Sequence, residues 1–122
     1  LDTKIVGITG SNGKTSTKDI LDALLSTQYK TQKTMGNLNN HIGVPLSILD
    51  LNEDTEIAVI EMGTGDFGEM ALLTSIAKPN VAVITNIGSA HLEWFLTLEN
   101  VAIEKLDIVN NLDSNGLFVY FY

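Results

Sequence analysis

Short apolar runs and segments of helical periodicity alternate along this chain. The apolar runs are bounded by glycine, proline or polar residues and predict strands at 4–9, 57–62, 81–85 and 116–122. A further strand of lower apolar content is predicted at 29–34. The runs at 4–9 and 57–62 are apolar at nearly every position, which is typical of strands covered on both faces.

Segments between these runs predict helices at about 14–27, 41–49, 68–77 and 97–112. In the first of them, four apolar residues recur at helical spacing: Ile20, Leu21, Leu24 and Leu25. Strands separated by helical segments of this length predict βαβ units. We therefore expect an α/β protein with a mainly parallel sheet flanked by helices.

The composition is that of an ordinary globular protein. The 122 residues are 44% hydrophobic and 18% charged, which suits one domain with a real core. The net charge of −8, without a basic stripe, argues against a nucleic-acid partner. No apolar run approaches the roughly 20 residues that span a bilayer. The lack of cysteine leaves no disulfide framework and fits a cytoplasmic location.

The two ends of the chain suggest an excised domain. The sequence opens almost directly on a strand and stops inside another apolar run. We expect residues 1–122 to be a single domain, or part of one, from a longer protein. Apolar surface at its cut edges would favour self-association.

The segment GITGSNGKTSTKDIL, residues 7–21, carries the strongest chemical signal. A strand, a glycine turn and a helix that starts at Lys14 form an anion site, because backbone N–H groups and the positive end of the helix dipole meet there. Gly10 and Gly13 allow backbone conformations and close approaches that a Cβ would block. Lys14 supplies charge for phosphate oxygens, and the Thr15 hydroxyl can coordinate Mg²⁺.

The spacing of this loop is shorter than that of the general P-loop. The position five residues before Gly13 is Ile8, so the pattern is G-x-x-G-K-T. The alternative is a glycine turn with a helix-capping hydroxyl and a surface lysine. Strand, two glycines, Lys-Thr and helix in this order favour phosphate binding.

Polar residues end the other buried strands. Ligands of open parallel sheets lie outside the carboxyl ends of the strands, and Glu61, Asn86 and, slightly later, His91 reach that edge. A carboxylate beside a phosphate loop is a good metal ligand or water orienter. The alternatives are a solvated strand-end carboxylate for Glu61 and a structural role for the lone His91.

Lys105 interrupts the apolar face of the predicted helix at 97–112. At about 100° per residue it falls near the middle of an apolar arc of roughly 160°. An isolated buried ammonium is costly, so Lys105 either snorkels to water at the helix edge, or projects into the site and is paired or chemically altered.

Five segments in this order resemble the central, P-loop NTPase-like ATPase domain of the Mur ligases: GITGSNGKTSTKDIL, GNLNNHIGVPLSIL, IAVIEMG, AVITNIGSAHLEWF and VAIEKLDIV. These enzymes are ATP-dependent amide ligases that build the peptide stem of peptidoglycan, and the resemblance covers about residues 4–121. The residues of these segments most resemble those of the family members that add D-Ala-D-Ala to UDP-MurNAc-tripeptide. The resemblance implies ATP, Mg²⁺ and these two substrates, with a carboxylate activated as an acyl phosphate before an amine attacks it.

The resemblance also implies site residues. Those expected to bind ATP are Gly10, Ser11, Asn12, Gly13, Lys14, Thr15 and Ser16, with the loop asparagines Asn40 and Asn37. Those expected to hold Mg²⁺ are Thr15, Glu61, His91 and Lys105. Lys14, His91 and Lys105 are the implied catalytic residues. Lys105 matches the lysine that takes up CO₂ as a carbamate, which would turn a buried cation into an anion.

Two departures and two alternatives accompany this interpretation. His41 stands where relatives often have an acidic residue, and Leu96 where a glycine is usual, so loop shape and substrate contacts are open to change. One alternative is the same core from a sister Mur ligase or a folylpolyglutamate synthase, although the latter lacks the GNLNNHIGVP wording. The other is a non-catalytic nucleotide-binding module, which would not need Glu61, His91 and Lys105 together.

Overall fold

A computed structural model of the chain describes residues 3–36, 38–63, 69–86, 112 and 115–120. The elements found there, in chain order, are β1 (Lys4–Thr9), α1 (Lys14–Leu25), β2 (Thr31–Lys33), α2 (Gly43–Leu49), β3 (Ile57–Glu61), α3 (Glu69–Ala77), β4 (Val81–Ile84) and β5 (Leu117–Tyr120). Every predicted element within these ranges is confirmed, and the ends that lie there differ from the prediction by at most two residues. The last two residues of the strand predicted at 116–122 lie outside the described residues. The helix predicted at 97–112 lies outside the described residues except for its last position.

The five strands form one sheet in the order β2-β3-β1-β4-β5, and all four pairings are parallel. This confirms the α/β prediction, and the sheet is wholly parallel in the part of the chain that the structure describes. β1, first in sequence, is therefore central, between β3 and β4. No helix in the described ranges is long and apolar enough to cross a membrane.

The apolar runs form strands because they are buried on both sides. The side chains on one face of β3, Ala58 and Ile60, belong to the main core. They pack there with Met70 and Leu73 of α3 and Val44 of α2. Alternation along the strand places Val59 and Glu61 on the opposite face, where α1 lies. The last residue of this apolar strand is thus a carboxylate held under a helix, and only 2% of Glu61 is exposed.

The apolar residues at helical spacing in α1 are only partly buried. Ile20 and Leu24 are 60% and 64% exposed, and Leu21 and Leu25 are half-buried. The one fully buried residue of α1 is Lys18. α1 therefore meets the end of β3 through a charged contact, with the Lys18 ammonium 3.6 Å from Glu61 Oε1.

Candidate nucleotide-binding site

The glycine loop and Glu61 lie together at the carboxyl edge of the sheet. β1 and β3 are in register, with Ile8 opposite Glu61, so the loop that follows β1 begins beside the end of β3. The next strand, β4, ends at the same edge and leads to Thr85 and Asn86. The predicted convergence of loop and strand ends is therefore present in this part of the molecule.

Gly10 and Gly13 are both required by the loop geometry. Gly10 has φ +150°, and a Cβ there would overlap the Thr85 hydroxyl and lie 3.1 Å from the Asn86 nitrogen. Gly13 has φ +81° and is the N-cap of α1, with no side chain capping the helix. The first turn of α1 also carries no acidic residue. The positive end of the helix dipole therefore faces the loop without an acidic residue of α1 itself on it.

Two backbone amides of the loop, those of Ser11 and Asn12, are already engaged by Asn86. The N–H groups of Ser11 and Asn12 donate to Asn86 Oδ1 at 3.1 and 2.9 Å. Asn86 Nδ2 and the Thr85 hydroxyl in turn donate to the Asn12 carbonyl at 3.1 and 2.6 Å. These hydrogen bonds attach Ser11 and Asn12 to the residues that follow β4. The backbone amides after Gly13 are therefore the better candidates for phosphate contact.

Lys14 is folded over its own loop. Its Nζ donates to the Gly10 carbonyl at 2.9 Å, which closes the glycine turn with a positive charge. The ammonium is thus held at the centre of the turn and half-buried. This is a suitable position for a point charge that meets phosphate oxygens. Ser16 lies exposed in the first turn of α1.

Thr15 and Glu61 are in direct contact. The Thr15 hydroxyl donates to Glu61 Oε1 at 2.9 Å, joining the start of α1 to the end of β3. Adjacent ligands of an octahedral Mg²⁺ with bonds of about 2.1 Å lie about 3.0 Å apart. Both atoms are hard oxygen donors at that spacing, so these residues fit Mg²⁺. The described residues contain no group of three or more His, Cys, Asp or Glu side chains able to hold a metal.

Three further side chains fix Glu61. Asn39 Nδ2 donates to Glu61 Oε2 at 2.7 Å, and the Lys18 ammonium lies 3.6 Å from Oε1. The backbone N–H of Glu61 donates to the buried Thr34 hydroxyl at 2.9 Å. Asn39 is itself fixed by the Gly63 N–H, which donates to its carbonyl at 2.6 Å. Contacts from Thr34 after β2, Asn39 in the loop before α2 and Lys18 of α1 therefore hold the carboxylate towards Thr15.

The comparison with known proteins follows this geometry. Residues 8–122 match the Mur ligase middle domain family. The chain belongs to the Mur ligase family. The sequence resemblance is thus confirmed over almost the whole chain.

Individual relatives make the comparison more specific. UDP-N-acetylmuramoyl-tripeptide–D-alanyl-D-alanine ligase of Bacillus subtilis (strain 168) is 52% identical over 120 residues, which are 98% of this chain and 26% of the relative. The MurF ligase from Thermotoga maritima, solved in complex with ADP, is 44% identical with a TM-score of 0.93, over 99% of this chain and 28% of that one. MurF from Acinetobacter baumannii is 38% identical with a TM-score of 0.96, over 98% and 26%. The chain spans about a quarter of the length of these relatives.

Asn40, predicted to lie near the nucleotide, makes a local contact with the backbone in this structure. Its Oδ1 accepts from the N–H groups of Ile42 and Gly43 at 3.1 and 2.8 Å, so the side chain caps the start of α2. Its neighbour Asn39 is the asparagine that reaches the site. Asn37, His91 and Lys105 lie outside the described residues.

Sequence reasoning missed Lys18, Thr34 and Asn39 as members of the site of this Mur ligase domain. Lys18 follows Thr15 by three residues, and residues at that spacing share a helix face. This spacing could have shown that Lys18 lies over the end of β3. Thr34 and Asn39 carry no comparable signal, because both depend on how the loop folds back over the sheet.

Proposed function

We propose that this chain is the ATP- and Mg²⁺-binding core of a ligase that joins D-Ala-D-Ala to UDP-MurNAc-tripeptide in peptidoglycan precursor synthesis. The observation that carries the proposal is the Thr15–Glu61 contact beside a glycine loop closed by Lys14. The ADP present in the Thermotoga maritima relative and the name of the Bacillus subtilis relative support it. Cell-wall synthesis in the cytoplasm, where ATP is available, is part of the same proposal.

The protein's contribution is to orient phosphates and offset their charge. Gly10 and Gly13 shape the turn, Lys14 places one positive charge inside it, and the uncapped start of α1 adds partial charge from N–H groups. Charge that builds up on phosphoryl oxygens is stabilised best by groups already in place before reaction. Formation of an acyl phosphate from a carboxylate and ATP depends on this kind of positioning.

Thr15 and Glu61 would hold Mg²⁺ with their two adjacent oxygens. The ion, when bound, supplies Lewis-acid stabilisation of phosphoryl oxygens. His91 and Lys105 are proposed as further residues of the metal site on the family resemblance, with Lys105 as the carbamate-bearing lysine. We propose that the remaining parts of a whole ligase bind UDP-MurNAc-tripeptide and D-Ala-D-Ala.

Nucleotide titration by calorimetry tests the proposal. ADP and ATP are titrated into the wild-type chain, Lys14→Ala and Lys30→Ala, each with and without Mg²⁺. We expect Mg²⁺-dependent binding by the wild type and a loss of about tenfold or more in Lys14→Ala, because charge-assisted hydrogen bonds to phosphate are lost. Lys30 is an exposed lysine in a surface ion pair and serves as the charge-matched control.

The outcomes separate clearly. Equal affinity in wild type and Lys14→Ala would place the nucleotide elsewhere. No detectable binding of either nucleotide by the wild type at millimolar concentration would remove the proposed function for this chain.

A further inference from the structure

Lys18 is a buried cation with one anionic neighbour in the described part of the chain. Its side chain is 3% exposed, as is that of Glu61, and the ammonium lies 3.6 Å from Glu61 Oε1. Burying an ammonium group without a partner costs free energy, so a buried lysine is expected to have either an anionic partner or a functional role. The nucleotide chemistry proposed above assigns Lys18 no contact with ATP, and its one charged contact among the described residues is with Glu61.

The geometry assigns opposite sides of Glu61 to different partners. Oε2 accepts from Asn39, and Oε1 accepts from Thr15 and faces Lys18. Oε1 is also the atom that, with Thr15 Oγ1, fits a divalent ion. The positive charge of Lys18 therefore lies beside the oxygen that the metal would use.

This placement has an electrostatic consequence. A divalent cation at Oε1 would meet the nearby ammonium as a like charge in a poorly solvated place, where repulsion is strong. A nucleotide polyphosphate bound at the loop brings several negative charges and offsets that repulsion. The ion should consequently bind well only when the nucleotide is present.

We propose that Lys18 is an internal counter-cation that neutralises Glu61 in the nucleotide-free protein and so makes divalent-metal binding dependent on nucleotide. Lys18 acts through Glu61 and is a positioning residue. The inference rests on the proposed function, because it takes Thr15 and Glu61 as metal ligands. It extends that function by giving the site an order of binding, in which the divalent ion binds tightly only together with the nucleotide.

The test is binding of Mn²⁺ alone, measured by electron paramagnetic resonance on the nucleotide-free chain. Wild type is expected to bind weakly, and Lys18→Met about tenfold or more tightly, because one repelling charge is removed. Lys18→Arg should behave as wild type, since it keeps the charge. Lys30→Met, which removes a lysine from an exposed pair, is the matched control and should change nothing. The double variant Lys18→Met/Glu61→Gln should lose the gained binding.

Bare-metal affinity in Lys18→Met no higher than in wild type would overturn the inference. If Lys18→Met does not fold, wild type that binds ADP by calorimetry decides: ADP must raise its Mn²⁺ affinity at least about tenfold, and equal affinity with and without bound ADP overturns the inference. Failure of the proposed function would look different. Wild type would then bind no nucleotide, while the comparison of Lys18→Met with wild type in Mn²⁺ alone would still report on the counter-cation.

Discussion

Gly10 is the residue of the loop with the least freedom. Its φ of +150° and the overlap that a Cβ would make with the Thr85 hydroxyl act together. Gly36 provides a contrast, because it has φ +58° but no heavy atom of the described residues within 4 Å of a Cβ built there. A comparison of the two positions therefore distinguishes the effect of backbone strain alone, at Gly36, from that of strain combined with steric overlap, at Gly10.

We expect Gly10→Ala to lower the free energy of unfolding by more than about 3 kcal/mol, because strain and overpacking both apply. Gly36→Ala should cost about 1 kcal/mol, since a left-handed alanine is strained but meets nothing. Urea denaturation of both variants measures the difference. Equal losses would show that the chain relaxes around position 10 and that Thr85 does not limit it.

Among single residues, the sequence was informative where chemistry and spacing coincide. Lys14, Thr15 and Glu61 were predicted from a motif and a strand end, and the structure brings them to one edge. Asn39 and Asn40 could not be told apart, because adjacent identical residues differ only in how the loop turns. One reaches Glu61 and the other caps α2.

At the scale of elements, strands were easier to predict than the faces of helices. A buried parallel strand is a continuous apolar run, and the runs gave β1, β3 and β4 almost to the residue. The apolar spacing along α1 did not indicate its buried residue, because periodicity counts apolar residues, whereas this helix meets the sheet edge through Lys18. A pattern of apolar residues gives no indication of a contact between a lysine and a carboxylate at a strand end.

The start of β2 is tied to the loop before β3 by a surface ion pair. Lys30 Nζ lies 2.7 Å from Asp54 Oδ2. Their hydrogen bond and mutual attraction raise the pKa of Lys30 from its ordinary 10.5 and lower the pKa of Asp54 from 3.8. Asp54 therefore contributes stability above its ordinary pKa, lost as pH falls through its lowered pKa. Lys30 contributes below its ordinary pKa, and this is lost as pH rises through its raised pKa.

A double-mutant cycle with Lys30→Met and Asp54→Asn measures this coupling by urea unfolding at several pH values. We expect a small, constant coupling between about pH 5 and 9 that disappears at both extremes and weakens in high salt. Coupling that grows at either extreme would mean that the pair is not held by charge.

At the scale of the whole molecule, α1 presents an apolar patch to solvent. Ile20 and Leu24 are 60% and 64% exposed and, four residues apart, lie on one face. Neighbouring apolar residues of this kind on a surface mark a contact site or a tendency to associate. We therefore expect this face of α1 to promote self-association.

The variant Ile20→Glu/Leu24→Lys replaces the patch with a favourable helical ion pair and keeps the net charge. We expect sedimentation velocity to show concentration-dependent association of the wild type at about 100 μM and a monomer for the variant. Leu49→Lys, which alters an 82% exposed leucine on α2, is the control and should associate as the wild type does. A monomeric wild type, or an equally associating variant, would contradict the role of this patch.

The central place of β1 has a consequence for the newly made chain. Its neighbours are β3 and β4, so Lys4 must wait for Ile57, 53 residues later (57 − 4), before it can pair. At roughly 5–20 residues per second, ribosomal synthesis leaves an apolar strand unpaired for about 3 to 11 s. A chaperone that shields short apolar segments during translation would therefore act on β1 before any other part of this sheet, and slower elongation between β1 and β3 would lengthen the exposure.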